Sequence, residues 1–170
     1  EFEMGKHIDK AISEEEKAQG KVLLCCTTAK SDLKINVPGF NQNALPVRTL
    51  PVRIETIEIK HDVALLRLAL PKAPSFAFYA GQYIDLLLPG NISRSYSIAN
   101  SPDQEGVLDL HIRKRENGVC SEMIFGAEPK IKEKGIVRVK GPLGTFTLQQ
   151  DSNKPIVLLA TGTGYAPIRS

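Results

Sequence analysis

The fold is decided by a stretch in which apolar and polar side chains alternate, Val52-Arg53-Ile54-Glu55-Thr56-Ile57-Glu58-Ile59. A period of two is typical of a β-strand with one buried face. A turn at His61 and Asp62 follows, and the next predicted strand covers residues 63–70. We therefore expect an antiparallel hairpin at the start of an all-β region.

Further strands follow, separated by turn-forming residues. The predicted strands cover residues 82–88, 95–99, 107–114 and 136–140, and residues 121–125 are predicted to be helical. Short strands at this spacing are typical of a closed or sandwiched antiparallel sheet. The predicted fold class is mainly β: a six-stranded antiparallel Greek-key barrel with one short helix.

The segment before the barrel has a mixed pattern. Ser13, with Glu16 three residues later, predicts a capped helix that ends at Gly20. Residues 21–26 predict a buried strand, and residues 31–37 alternate as a strand does. We interpret residues 1–37 as the end of a small module and the turn-forming residues 38–46 as a linker.

After the barrel, predicted to cover residues 47–152, the pattern changes again. Residues 156–160 form a continuous apolar run, which is typical of a parallel strand buried on both faces. The glycine-rich residues 161–167 follow, as they do after the first strand of a nucleotide-binding α/β domain. We therefore interpret residues 153–170 as the start of a truncated domain of that kind.

Bulk composition excludes several classes of protein. The net charge is +3 with basic and acidic residues interspersed, so a nucleic-acid partner is not expected. Apolar runs such as residues 22–26 are far shorter than the roughly 20 residues of a membrane helix, so no membrane span is expected. Three cysteines cannot form the framework of a small disulfide-rich domain, which favours a reducing cytoplasm. Residue 1 is not expected to be the natural start, because neither an initiator methionine nor a signal-peptide pattern is present.

Arg94 and Tyr96 are the first candidate site residues. They lie on one face of a predicted strand, and Ser95 and Ser97 lie on the other. An arginine suits a diphosphate, and a tyrosine offers a flat apolar surface with a hydroxyl group. The alternative is an exposed arginine beside a tyrosine that packs in the barrel.

Two glycine-containing stretches are further candidates. At residues 116–121, Gly118 and Ser121 could place the start of a helix against a phosphate; the alternative is a β-turn with Ser121 as the helix N-cap. At residues 162–164, Gly-Thr-Gly lacks the third glycine of the dinucleotide fingerprint. The alternative there is a tight turn between a strand and a helix.

Together and in this order, these motifs resemble the ferredoxin NADP reductase superfamily. The resemblance runs from Leu50 to Ile168 and rests on five successive motifs, at residues 81–83, 94–97 with Asn100, 118–121, 141–146 and 162–164 with 166–167. The resemblance implies a flavin-binding barrel that works with a nicotinamide-binding domain. FAD is favoured over FMN because the wider family mostly uses FAD.

The resemblance also implies residue roles. Arg94 would contact the flavin diphosphate, Tyr96 would pack on the isoalloxazine, and Ser97 would lie near the flavin N5. Thr163 would bridge the flavin to the nicotinamide, so Ser97 and Thr163 are the predicted catalytic residues. The remaining predicted cofactor-binding residues are Ser95, His111, Ile112, Gly118, Val119, Cys120 and Ser121, of which Gly118 and Ser121 would hold the diphosphate.

The first module resembles the C-terminal end of a plant-type [2Fe-2S] ferredoxin. Cys25 takes the position of the fourth cluster ligand, and it is the predicted metal ligand of the parent protein. Such a cluster needs four thiolates, three of them in a close run before the last. Neither Cys26 nor Cys120 can replace those three, so this chain is not expected to hold iron.

The order of ferredoxin, flavin barrel and nicotinamide domain resembles that of reductases of CDP-6-deoxyhexose biosynthesis, which is the preferred interpretation. Electrons would pass from NAD(P)H through FAD to a [2Fe-2S] centre and on to an acceptor protein. This chain alone is not expected to be fully active. One alternative is the reductase of a ring-hydroxylating or alkane oxygenase, and an alternative of another class is a non-catalytic β-barrel binding module.

Overall fold

The structure, a computed structural model, describes residues 1–36, 45–148 and 153–170. The chain divides into two compact units, Glu1–Phe40 and Asn41–Ser170. The division falls within the predicted linker, residues 38–46, of which 38–44 lie outside the described residues. None of the helices in the described ranges is long and apolar enough to cross a membrane.

The first unit contains a two-stranded antiparallel sheet and one capped helix. Strand β1 (Phe2–Met4) pairs with β2 (Thr27–Ala29), and helix α1 covers Glu14–Ala18. Glu16 N donates to Ser13 Oγ at 3.2 Å and Ser13 N donates to Glu16 Oε2 at 3.1 Å. This is the predicted capping box, and the predicted helix is confirmed. Short 3₁₀ helices cover Asp9–Ala11 and Leu24–Cys26.

Two strands predicted in this unit do not form. Residues 21–23 are irregular and Leu24–Cys26 is a 3₁₀ turn; residues 31–36 are irregular and exposed, and Val37 lies outside the described residues. A strand needs a neighbour for its backbone hydrogen bonds. In the part of the chain that the structure describes, β1 pairs only with residues 27–29, so the apolar residues before them turn instead of extending.

The second unit is built on one six-stranded sheet in which every pairing is antiparallel. Its order is β6-β5-β8-β3-β4-β7. The strands are β3 (Arg48–Lys60), β4 (Val63–Ala69), β5 (Tyr83–Leu88), β6 (Ile92–Ser97), β7 (Val107–Arg113) and β8 (Ile136–Leu143). The predicted mainly β fold with six antiparallel strands is confirmed, and the observed strand ends differ from the predicted ones by a few residues.

The sheet curls until its two edges meet, which gives the barrel. Ile98, just after β6, forms a bridge with Leu110 of β7, and Ala99 N donates to Asp109 O at 2.8 Å. Alternate residues of β4, β5 and β7 are buried in the interior. The core contains large side chains with under 2% of their surface exposed, Ile54, Leu66, Leu68, Ile84, Leu86, Ile98, Leu108, Leu110 and Ile112.

A further predicted strand, at residues 156–160, does not form. These residues are irregular, and the side chains of Val157 and Leu159 are 81% and 87% exposed. A parallel strand depends on hydrogen bonds to its neighbours, and no strand of the described residues pairs with this segment. The glycine-rich stretch after it does lead into a helical turn, as a 3₁₀ helix at Gly162–Tyr165 and helix α3 at Ala166–Arg169.

Candidate functional site

Strand β6 and helix α2 (Val119–Phe125) meet at the best candidate site. In the register of β5 and β6, Tyr96 lies opposite Ile84 and Arg94 lies opposite Leu86. Ile84 and Leu86 are both buried, so Tyr96 and Arg94 lie on the same face of the sheet as these two residues. The Tyr96 side chain is half-buried against the core, and its hydroxyl interacts with the thiol of the buried Cys120 of α2. This contact joins the strand to the helix.

The electrostatics of this cluster favour an anionic ligand. Burial raises the pKa of Tyr96, and the interaction with Cys120 raises it further. Burial also raises the pKa of the Cys120 thiol, against the lowering effects of Tyr96 and Arg94. Both groups therefore stay neutral near pH 7. Arg94 Nη1 donates to the Ser93 carbonyl at 2.8 Å, and no carboxylate in the described ranges forms an ion pair with Arg94.

The serines of β6 have different surroundings. Ser95 Oγ donates to Asp85 Oδ1 at 2.7 Å, so a carboxylate of the neighbouring strand engages that hydroxyl. Ser97 is partly exposed and lies opposite Tyr83. Of the two serines beside Tyr96, Ser97 therefore has the hydroxyl that is more available to a ligand.

Helix α2 begins earlier than predicted, and Ser121 is not its N-cap. The cap is Gly118, and Val119 is the first helical residue and is exposed. Ser121 lies inside the first turn, where its Oγ accepts a hydrogen bond from Arg115 N at 2.8 Å. A Cβ on Gly118 would lie 3.1 Å from both Ser121 Oγ and Arg115 O. Glycine therefore takes the cap position because a larger residue would press on this turn.

His111 and Ile112 point to opposite sides of β7. Ile112 lies in the core, so its side chain faces away from any surface ligand. His111 is half-buried and lines a polar cavity of about 310 Å³ together with Asp109 and Arg169. Burial lowers the pKa of His111, the charge of Arg169 lowers it further, and Asp109 opposes them. The imidazole is consequently neutral near pH 7.

Thr163 lies in the 3₁₀ helix Gly162–Tyr165, which contacts β7. Gly162 approaches the Arg113 side chain, because a Cβ built on it would lie 3.6 Å from Arg113 Nη1. The structure therefore collects the predicted residues in two groups on adjoining strands. One group is at β6 and α2, and the other is at β7 and the turn that contains Thr163.

Cys25, the predicted metal ligand of the parent, lies in the first unit. It is exposed, and its Sγ is 3.6 Å from Cys26 Sγ. Cys120 is buried in the barrel unit, and the described ranges contain no group of three metal-ligating side chains. A [2Fe-2S] cluster needs four thiolates, and the chain has three cysteines. The residues present do not fit such a cluster.

Asn100 has a role that the sequence analysis did not assign. Its side chain is 2% exposed, its Nδ2 donates to Ser101 O and Val107 O at 3.2 Å each, and its Oδ1 accepts from Asp109 N at 2.8 Å. It therefore fastens the chain after β6 to β7, where the barrel closes. The sequence gives one signal, an asparagine directly after a strand, but the partners lie on another strand.

The donors and surfaces of the β6 and α2 group fit a flavin dinucleotide. Arg94 supplies a cation that pairs with no carboxylate of the described ranges, the half-buried Tyr96 supplies an aromatic surface, and Gly118 allows close approach at the helix start. The positive charge of Arg94 would attract a diphosphate, and a planar ring would pack against Tyr96.

Comparison with known proteins supports FAD as the ligand of the barrel. Residues 51–148 match the family described as the oxidoreductase FAD-binding domain. The chain is 44% identical over 161 residues to a CDP-6-deoxy-L-threo-D-glycero-4-hexulose-3-dehydrase reductase of Yersinia pestis, covering 94% of this chain and 47% of that protein. It is 36% identical over 163 residues to reductase component 2 of a Comamonas terephthalate 1,2-dioxygenase, again covering 94% and 47%.

The similarity extends to solved structures. A cytochrome P450 reductase from Amycolatopsis superposes with a TM-score of 0.71 at 32% identity, over 99% of this chain and 51% of that one. The chain thus spans about half the length of the curated relatives and of the solved reductase that it matches.

Proposed function

The chain belongs to the oxidoreductase FAD-binding domain family, and we propose that it is the FAD-binding part of an NAD(P)H-dependent flavoprotein reductase. Electrons would pass from NAD(P)H to FAD and on to a [2Fe-2S] centre of the parent protein and an acceptor protein. Bound FAD would supply the conversion between a two-electron hydride donor and one-electron acceptors. The observation that carries the proposal is the cluster of Arg94, Tyr96 and Cys120 at the start of α2.

Arg94 would bind the diphosphate. Its guanidinium is exposed on β6 and forms no ion pair with the described carboxylates, so diphosphate binding would not first require an internal pair to break. Gly118, Val119, Cys120 and Ser121 would surround the same group, with backbone N–H groups at the start of α2 as donors. Charge-assisted hydrogen bonds of this kind are the stronger class.

Tyr96 would pack on the isoalloxazine. Its raised pKa keeps the hydroxyl protonated, so the surface offered to the flavin is neutral. Ser97 would place a hydroxyl near the flavin N5, and His111 would contribute a neutral imidazole from β7. Ser95 and Ile112 would contribute through the backbone, because Asp85 engages the Ser95 hydroxyl and the Ile112 side chain lies in the core.

Residues 153–170 would begin the NAD(P)-binding domain, with Thr163 facing the nicotinamide. Val157 and Leu159 are largely exposed. A continuous apolar run of this kind is typical of a parallel strand that is covered on both faces, so its exposure here supports a place in a larger sheet of the parent protein. Residues 1–37 would be the end of a [2Fe-2S] domain, with Cys25 as one ligand in the parent protein. The free cysteines suit a cytoplasmic location.

The 44% identity to the Yersinia reductase favours a role in CDP-deoxysugar biosynthesis. The 36% identity to the terephthalate dioxygenase reductase component keeps an oxygenase reductase as the second candidate. The two differ in the acceptor protein, so reduction of either acceptor by the parent protein distinguishes them.

Reduction of the FAD-loaded parent protein, which would carry the complete NAD(P)-binding domain, by NADH or NADPH tests the proposal. Under anaerobic rapid mixing we expect the flavin absorbance to bleach, and Ser97→Ala to slow the bleaching more than it weakens FAD binding. Ser93→Ala is the matched control, because Ser93 is an exposed serine of the same strand, outside the predicted site. Equal bleaching rates in the parent protein with and without the Ser97 substitution would contradict the role of Ser97.

A further inference from the structure

The turn that contains Thr163, residues Gly162–Tyr165 and hereafter the glycine loop, lies against β7, and the chain just after it is hydrogen-bonded to the barrel. At its first residue, Arg113 Nη1 lies 3.6 Å from the position that a Cβ on Gly162 would occupy, so the guanidinium lies beside the open face of Gly162. Beyond the loop, Ser170 Oγ donates to Asn100 O at 2.9 Å. Gly162 has a φ of 54°, in the left-handed region that favours glycine.

Arg113 is held from its other side by Asp62. Arg113 Nε donates to Asp62 Oδ2 at 2.8 Å, and Asp62 lies in the turn between β3 and β4. The backbone fixes that turn to the end of β7, because Lys114 N donates to Asp62 O at 2.6 Å. The hydrogen bond from Arg113 lowers the pKa of the Asp62 carboxyl. Asp62 and Arg113 are thus both charged near pH 7. Arg113 lies at the end of β7, and the turn that contains Asp62 is hydrogen-bonded to the residue after it.

The shape of the guanidinium matters here. Its planar fork presents donors in different directions, so one side can bond Asp62 while another lies beside Gly162. A lysine ammonium is a single point charge on a flexible stem and cannot hold both contacts in a fixed plane.

We infer that Arg113, held by Asp62, is a positioning residue that seats the glycine loop on the barrel. It acts through the loop backbone. Its importance for electron transfer rests on the proposed function, in which Thr163 of this loop faces the nicotinamide. The geometry itself does not depend on that function, so the two can fail separately.

Amide hydrogen exchange at Gly164 tests this inference, because Gly164 N donates to Thr161 O at 3.0 Å within the loop. In the complete chain without FAD, we expect Arg113→Ala and Asp62→Asn each to accelerate this exchange about two- to five-fold, the range expected from an exposed ion pair. Arg113→Lys is expected to give a similar acceleration, since charge alone does not replace the fork.

Arg53→Ala is the matched control. Arg53 is an exposed strand arginine that faces Glu55 at 3.7 Å, and its strand pairs with β4 and β8 rather than with the loop. We expect unchanged Gly164 exchange in this variant. Exchange at the core residue Leu110 monitors global unfolding, and Asp62→Asn provides the test if Arg113→Ala unfolds the barrel.

Unchanged Gly164 exchange in Asp62→Asn and in a folded Arg113→Ala would overturn the inference, and so would full protection in Arg113→Lys. Because FAD is absent, failure of flavin binding does not affect this result. A chain that binds no FAD but shows the expected acceleration would contradict the proposed function and leave the positioning role in place.

Discussion

Two apolar stretches of this chain differ in structure: one forms a buried strand and the other is irregular and exposed. Strand β5, Tyr83–Leu88, alternates between half-buried and fully buried residues, and it is paired with β6 on one side and β8 on the other. Residues 156–160 are at least as apolar, yet they form no strand and are exposed. Apolar composition is therefore not what separates them. The difference is the presence of neighbouring strands that satisfy the backbone.

The contrast indicates how the chain is organised. The barrel closes on itself through Ile98 and Leu110, so its strands supply partners for one another. The terminal run has no such partners among the described residues, and its helical end is held through contacts with β7 and Asn100. Stability should therefore reside in the barrel, and changes in the terminal run should leave the barrel intact.

The largest expected effect contrasts a barrel leucine with a terminal one. Leu110→Ala removes a fully buried side chain at the closure of the barrel, and we expect it to lower the free energy of unfolding by about 2–5 kcal/mol. Leu159→Ala alters a side chain that is largely exposed, so we expect a change within about 0.5 kcal/mol. Denaturant unfolding measures both. Similar losses in the two variants would break the comparison.

The next effect asks whether the barrel alone determines cofactor affinity. Arg94→Ala removes the proposed charged contact to the diphosphate, and we expect FAD binding to weaken by about 1.5–3 kcal/mol. Arg53→Ala and Leu159→Ala are expected to leave the affinity unchanged. Fluorescence titration with FAD measures all three. An unchanged affinity in Arg94→Ala would show that the diphosphate lies elsewhere.

The smallest effect is expected at His111, where the barrel faces Arg169 of the terminal helix. The pKa of folded His111 lies below the unfolded value of about 6.5, so the unfolded state binds more protons as the pH falls past that value. Stability from the neutral imidazole is thus present above about pH 6.5 and is lost as the pH falls through the folded pKa.

Replacing His111 with glutamine should flatten this part of the pH dependence of stability. The charged groups that line the same cavity are Glu58, Arg67, Asp109 and Arg169, and they remain in the variant. Unfolding curves recorded between about pH 5 and pH 8, the range in which histidine titrates, measure the effect. A pH profile identical to that of the unmodified chain would show that His111 is not the titrating group.

Much of the barrel could be predicted from the sequence because its signals are local. Period-two alternation placed the first strand of the barrel, turn-forming residues at regular spacing placed the other five, and the capping box at Ser13 and Glu16 placed helix α1 correctly. The predictions that failed depended on distant partners. Residues 21–26 and 156–160 have strand-like composition, but a strand exists only where another strand lies beside it.

The candidate site shows the same division. The cluster of Arg94 and Tyr96 follows from the alternation of a single strand, and its geometry was predictable. The position of Ser121 was not, because Gly118 takes the cap and Arg115 N engages the Ser121 hydroxyl. The roles of Asn100 and Arg113 were also not predictable, because their partners lie on other elements and the sequence does not show which loops will meet.

The central claim is that the barrel is a flavin site, and direct retention of FAD tests it. The complete chain is incubated with FAD, excess cofactor is removed by gel filtration, and the visible spectrum is recorded beside that of Arg94→Ala. We predict that flavin absorption bands remain with the unmodified chain and are reduced in the variant. A colourless chain that still unfolds cooperatively would contradict the claim.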